Sequence, residues 1–229
     1  MNKRIVTFLI IGIGVLAVIS LVSYFTIFDD YQTFSKPKEN VSIAITGDVM
    51  FARKMPGVLN AGYNPFKGVE NVTKNVDILL MNFENPATTS NIAYKGDVPL
   101  KTDPVYVKFA KNNPNTILAL ANNHIFDYGE IGLNDTIKYI NDSGMKAIGA
   151  GNNKEKATKP IVQNIKGRKI VILNYMDQDN FKEYSQNVMP QATSGNVNNS
   201  SNSGYSAIDW NVVKKDINVN KEKADMVLV

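Results

Sequence analysis

The sequence predicts an α/β domain behind one apolar amino-terminal segment, and three observations carry that prediction. Short apolar runs rich in β-branched or aliphatic residues recur at Val41–Thr46, Asp77–Met81 and Thr116–Ala121. Stretches with helical spacing lie between or after them, most clearly Ile131, Leu133, Ile137 and Ile140. Each run ends in polar groups: Gly47-Asp48, Asn82-Phe83-Glu84, and Asn122-Asn123-His124, which holds the only histidine of the chain. Parallel strands would gather these ends at one edge, where open α/β sheets bind ligands.

Residues 1–4 carry Lys3 and Arg4, and Ile5 to Phe28 is almost wholly apolar and free of charge. Such a run is long enough to cross a hydrocarbon core of roughly 30 Å as a helix. It exceeds the apolar stretch of about 7–15 residues usual in a cleaved signal peptide, and Val18-Ile19-Ser20 is a poor cleavage site, so an uncleaved anchor is expected. Lys3 and Arg4 before the span, with Asp29 and Asp30 after it, place the amino terminus in the cytoplasm and the domain outside. Residues 29–40, including Ser35-Lys36-Pro37-Lys38, read as a polar tether, and the domain runs from 41 to 229.

Within the domain, Val41–Thr46 is the first strand and Gly57–Val76 is mixed, with Val69, Val72 and Val76 at helical spacing. Asp77–Met81 is the second strand, and Pro86 keeps a helix from starting directly after it. Asn91–Asp103 is an irregular excursion, and Pro104–Lys111 a short helix with proline in its first turn. Thr116–Ala121 is the central strand. A helix over Ile131–Ser143 follows, ended by Gly144, then a brief strand at Lys146–Ile148. Ile161–Ile165 and Lys169–Tyr175 flank Lys166-Gly167-Arg168 as a hairpin, so the sheet turns partly antiparallel here. Gln191–Gly204, rich in Asn, Ser and Gly, lacks the apolar residues that would order it and is expected to be a mobile loop. Ala207–Ala224 is a helix, and Asp225–Val229 starts a strand inside which the chain ends, so the domain is expected to be incomplete.

Composition narrows the chemistry. There is no cysteine, which excludes a disulfide framework and a thiolate metal site and leaves oxygen and imidazole as metal ligands. A net charge of +4 without a Lys/Arg cluster does not point to nucleic acid, although a mildly basic surface suits an acidic polymer. Asp48, Glu84, Asn123 and His124 together are donors that hard or borderline divalent cations accept. Each residue also has a plain structural reading. Asp48 and the Asn122-Asn123 pair suit turns, Glu84 a surface carboxylate, Arg53 a solvent-facing side chain, His124 a packed and hydrogen-bonded ring, and Asp127 the cap of the helix beginning near Gly129.

The motifs Gly47-Asp48-Val49-Met50, Asn82-Phe83-Glu84-Asn85-Pro86, Asn122-Asn123-His124 with Asp127-Tyr128-Gly129, and Gly149-Ala150-Gly151-Asn152 with Ala157 and Pro160 occur in one order over Val41–Val229. In this the chain resembles the CapA family of capsule and poly-γ-glutamate biosynthesis proteins, whose fold is similar to calcineurin-like metallophosphoesterases. The resemblance implies a metallophosphoesterase-like αββα sandwich. It further implies that Asp48, Glu84 and Asn123 are metal ligands, for Mn, Zn or Mg, and that His124 stabilises charge or donates a proton, with Asp127 orienting it or closing the loop. Arg53 would hold an anionic substrate. Met50 stands where general metallophosphoesterases carry a histidine, and the family continues past Val229 into a His-Trp-Gly-x-Glu-like segment.

The expected function is that of a membrane-anchored, extracytoplasmic protein of envelope polymer synthesis, handling an anionic polymer such as poly-γ-glutamate. Its partners would be that polymer, the membrane and subunits of a synthase complex. Two other classes stay open: a non-catalytic polymer-binding or assembly subunit, and a metal-dependent phosphodiesterase or phosphatase.

Overall fold

The computed structural model describes residues 18–24, 39–94, 98–177 and 203–229. The chain divides into two units at Lys38/Glu39. In the first, residues 18–24 are helical. The rest of the anchor expected at 5–28, and the tether expected at 29–40 apart from its last two residues, lie outside the described residues. Among those described, no helix is long and apolar enough to cross a membrane.

The second unit is built on a four-stranded parallel sheet with strands in sequential order: β1 (Ile43–Val49), β2 (Ile78–Phe83), β3 (Thr116–Ala119) and β4 (Lys146–Ile148). Parallel strands need crossovers that cover the sheet, and strands buried on both faces read as continuous apolar runs. Hence β3 is buried at all four positions and Ile78, Leu79, Met81 and Phe83 of β2 are inaccessible to solvent. One face of the sheet joins a core of Leu79, Met81, Phe83 and Leu118 with Val107, Leu133 and Ile140 from the crossovers. Burying each such side chain contributes about 1.5–3 kcal/mol.

The crossover helices depart from expectation in instructive ways. Pro104–Ala110 is a 3-10 helix, whose first turn is closed by the Asp103 side chain accepting from the Val105 N–H at 2.9 Å. Between β1 and β2 only two short helices form, α1 (Met55–Asn60) and α2 (Glu70–Thr73). Val69 and Val72, which suggested a helical face, are more than half exposed; Leu59, Phe66 and Thr73 are buried instead. Helix α3 (Gly129–Asp142) begins at Gly129 and buries Gly132, Leu133, Thr136 and Ile140, while Ile131, expected on its apolar face, is exposed. Gly144, at φ +70°, ends the segment in the left-handed region that glycine favours.

The other face of the sheet meets a second sheet. After β5 (Ala150–Gly151) and α4 (Lys154–Ala157), the expected hairpin forms from β6 (Ile161–Ile165) and β7 (Arg168–Ile172), antiparallel, through Lys166 and Gly167, both at positive φ. Its strands do not extend the first sheet. They form a separate one in the order β6-β7-β9, with β9 (Met226–Leu228) parallel to β7. Ile170 and Ile172 of β7 pack with Ile78, Ile117, Ala119 and Ile148 in one core between the sheets. Helix α5 (Trp210–Lys221), capped by Asp209, packs against β9. Most of the loop expected at Gln191–Gly204 lies outside the described residues; its last residues, Ser203 and Gly204, are buried, and β8 (Gly204–Tyr205) pairs with β5.

Candidate functional site

All four parallel strands point the same way, so β1, β2 and β3 deliver their carboxyl ends to one edge. The first strand is longer than its apolar run suggests and includes Asp48, which pairs with Asn82 of β2 after a register shift between Thr46 and Asp48. A bulge of this kind re-aims a side chain next to a site. Side chains alternate along a strand, so Asn82 and Glu84 share a face. The Asn82 amide nitrogen donates to Asp48 Oδ1 at 2.7 Å and to Glu84 Oε2. One nitrogen therefore joins two carboxylates from neighbouring strands.

The loop after β1 is clamped at Phe51: its N–H donates to Asn85 Oδ1 at 2.9 Å, and its carbonyl accepts from the Thr102 hydroxyl at 3.0 Å. Asp48 is exposed and Glu84 half-buried. Burial, and next the Asp48 carboxylate, push the Glu84 carboxyl above its ordinary value, while His124 and the Asn82 hydrogen bond oppose the shift. Two carboxylates, Asp48 and Glu84, thus share one amide at this edge of the sheet.

Beyond β3 the chain turns through Asn122, Asn123 and His124. Asn122 is buried; its amide donates to the Phe83 carbonyl at 2.8 Å and to Asn82 Oδ1 at 3.1 Å, and its oxygen accepts from the His124 N–H at 3.1 Å. The His124 ring Nδ1 lies 2.7 Å from Asp127 Oδ2. That oxygen also accepts from the Leu100 N–H at 2.7 Å, and Asp127 has no solvent exposure. Nδ1 is thus the ring nitrogen that Asp127 engages, and Nε2 is the one it leaves unengaged. Asp127 does not cap α3, whose N-cap residue is Tyr128 with no side-chain cap.

The structure joins Asp48 to Glu84 through the Asn82 amide, and His124 to Asp127 directly, with Asn122 linking Asn82 to the His124 backbone. Asn123 sits beside His124, half-exposed, and its side chain is not engaged by another described residue. Arg53 is exposed, at φ +58°, and no hydrogen bond or ion pair joins it to these groups among the described residues. Among the described residues no three His, Asp or Glu side chains converge closely enough to hold a metal by themselves. A cation bound here would draw on Asp48, Glu84 and the Asn123 amide, with His124 beside them.

Sequence reasoning missed three contributors. Asn82 and Asn122 link the strand ends, and the spacing of Asn82 two residues before Glu84 was the available signal. Asn174, just past β7, accepts from the Ala121 N–H at 3.0 Å, which ties the His124 loop to the second sheet. Nothing local in the sequence marks it.

The chain is 30% identical over 148 residues to the capsule biosynthesis protein CapA of Bacillus anthracis, covering 62% of this chain and 36% of that protein. It is 32% identical over 142 residues to the PGA biosynthesis protein CapA of Bacillus subtilis (strain 168), covering 60% and 37%. It thus spans little more than a third of the length of either relative. The model of the family described as bacterial capsule synthesis protein PGA_cap matches residues 42–229, from the start of β1 to the end of β9 and through every strand end described above, and the chain belongs to that family.

Proposed function

We propose that this chain serves the synthesis of an anionic envelope polymer of the poly-γ-glutamate class, through a divalent-cation site at the carboxyl edge of its parallel sheet. Asp48, Glu84 and Asn123 are the ligands in this reading, and Mn, Zn or Mg the candidate ions. The observation that carries it is the convergence of Asp48 and Glu84 on one amide beside the His124–Asp127 pair. The polymer class follows the names of the two relatives. Two sheets packed face to face, the first wholly parallel, support a metallophosphoesterase-like αββα architecture.

When bound, the cation supplies Lewis-acid polarisation of a carbonyl or phosphoryl oxygen. The chain's own residues do the rest. Asp127 keeps the Nδ1 proton in place and sets the ring plane, so His124 Nε2 can deliver a proton or stabilise developing charge. The Leu100 N–H, donating to the same oxygen, helps to fix Asp127. In this reading Arg53 is the group that meets a polymer carboxylate, for which a guanidinium is well shaped. In cells whose polymer depends on this gene, Asp48→Asn and His124→Ala should stop polymer production at unchanged protein level. Undiminished production from either variant would contradict the proposal.

A second reading, polymer binding or assembly without turnover, is favoured by one observation: no three acidic or histidine side chains converge among the described residues. Co-sedimentation of the full chain with poly-γ-glutamate, unaffected by Asp48→Asn and without shortening of the polymer, would support it.

The proposal includes an anchor at 5–28 with the domain outside the membrane. It rests on the charge-free apolar run behind Lys3 and Arg4, and on Val18, Ile19, Leu21, Val22 and Tyr24, all more than half exposed. Protease added to intact spheroplasts should degrade the domain, and protection would refute the orientation.

A further inference from the structure

The amide of Asn82 has a single possible orientation, set from outside the site. Asn122 accepts from the backbone N–H of His124 and donates to the backbone carbonyl of Phe83, and backbone groups cannot exchange these roles. The Asn122 amide is therefore fixed, and the nitrogen that meets Asn82 is a donor. Asn82 must present its oxygen to Asn122 and its NH2 group to Asp48 and Glu84. An exchange of the two ends would set donor against donor on one side and oxygen against two carboxylates on the other.

We propose that Asn82 is the positioning residue of this site. It is a neutral amide whose two N–H groups hold two carboxylates around one centre, and whose oxygen ties that centre to the His124 loop. Two like charges approached from neighbouring strands repel, and Glu84 is partly withdrawn from water that would screen the repulsion. The amide offsets this repulsion without adding charge, so the carboxylates stay converged when no cation is bound. The end of Asn82 that faces the carboxylates is its NH2 group, which offers no lone pair to a cation, so Asn82 is not itself a ligand. It acts as groups behind metal ligands do, by orienting them. The proposal rests on the reading of Asp48 and Glu84 as cation ligands.

The test uses the full chain in detergent with Mn2+ alone as the probe. Asn82→Ala should weaken Mn2+ binding about 10–100-fold by calorimetry, the range usual for residues that orient ligands. Asp48→Asn should remove binding. Asn82→Asp keeps the oxygen facing Asn122 but sets a third acceptor against the carboxylates; it should melt below the parent protein without Mn2+ and recover with saturating Mn2+. An unchanged dissociation constant in Asn82→Ala, with equal loss of melting temperature with and without Mn2+, would overturn the proposal. So would complete loss of binding, which would make Asn82 a ligand. If the parent protein takes up no Mn2+, the cation reading fails, and a melting cycle without metal still decides the role of Asn82. The costs of Asn82→Ala and of Asp48→Ala or Glu84→Ala should then be non-additive. Additive costs would overturn the bridge.

Discussion

Asp127 ties two separate segments of the chain to the His124 turn. Its Oδ2 accepts from His124 Nδ1 and from the Leu100 N–H, and the Tyr94 N–H donates to its backbone carbonyl at 2.8 Å. The excursion between β2 and the 3-10 helix is thereby tied to the catalytic candidate. Asp127→Ala should leave the Leu100 N–H buried without this acceptor, at a cost of about 1–3 kcal/mol. Thermal melting, with faster hydrogen exchange at the Leu100 amide, would check it; an unchanged exchange rate would argue against the tie. In the sequence, Asp127 was legible as a partner of His124 through the Asn-Asn-His-x-x-Asp-x-Gly element, but Leu100 was not. A contact made by a backbone N–H 27 positions away leaves no trace in side-chain identity.

Elements are held in place at both ends of the sheets. At the amino edge, Asp77 Oδ2 accepts from the Ser42 N–H at 2.8 Å, the Ser42 hydroxyl at 2.9 Å and Lys166 Nζ at 2.8 Å. It thus links β1, β2 and the β6–β7 turn. The Lys166 contact first, and the Ser42 N–H next, hold the Asp77 carboxyl down to about 2, against an ordinary 3.8. A depressed carboxylate stabilises the fold above its unfolded value and loses that contribution as pH falls towards the folded one. The stability gap between the parent protein and Asp77→Asn should be constant above about pH 5 and close between about pH 4 and pH 2. A gap independent of pH would refute the assignment.

At the carboxyl edge, Gly149 lies at φ +92° against Asn174. A Cβ there would collide with Asn174 Oδ1 and come within 2.9 Å of Ala121 Cβ, so Gly149→Ala should strain the backbone and push Asn174 off the Ala121 N–H. The expected loss is on the order of 1–3 kcal/mol. A variant that melts like the parent would contradict this. Strand identity and direction were legible from apolar runs. The split into two sheets was implied by the resemblance to an αββα sandwich and not by the strands themselves, because β6 and β7 have the composition of strands in either sheet and only the packing of Ile170 and Ile172 on Ile78 and Ile117 decides.

At the scale of the whole molecule, the site is a consequence of topology. Three parallel strands in sequential order bring Asp48, Glu84 and the His124 turn to one edge, and their order along the chain already implied this. What the order could not convey was how like charges are kept together there, since that depends on amides whose partners are set by register: Asp48 opposite Asn82, and Asn82 opposite Ala119. The two sheets share an apolar core, so truncation at its centre should be felt by both. Ile172→Ala is expected to cost about 2–5 kcal/mol, read from chemical denaturation, and a cost below 1 kcal/mol would mean that the sheets do not pack as described.

The most direct test of the central claim is the metal content of the purified full chain by elemental analysis after exposure to Mn2+ and removal of free ions, beside Asp48→Asn/Glu84→Gln. The account predicts about one or two ions per chain in the parent protein and none in the double variant. An empty parent protein, or a double variant that retains as much metal, would contradict it.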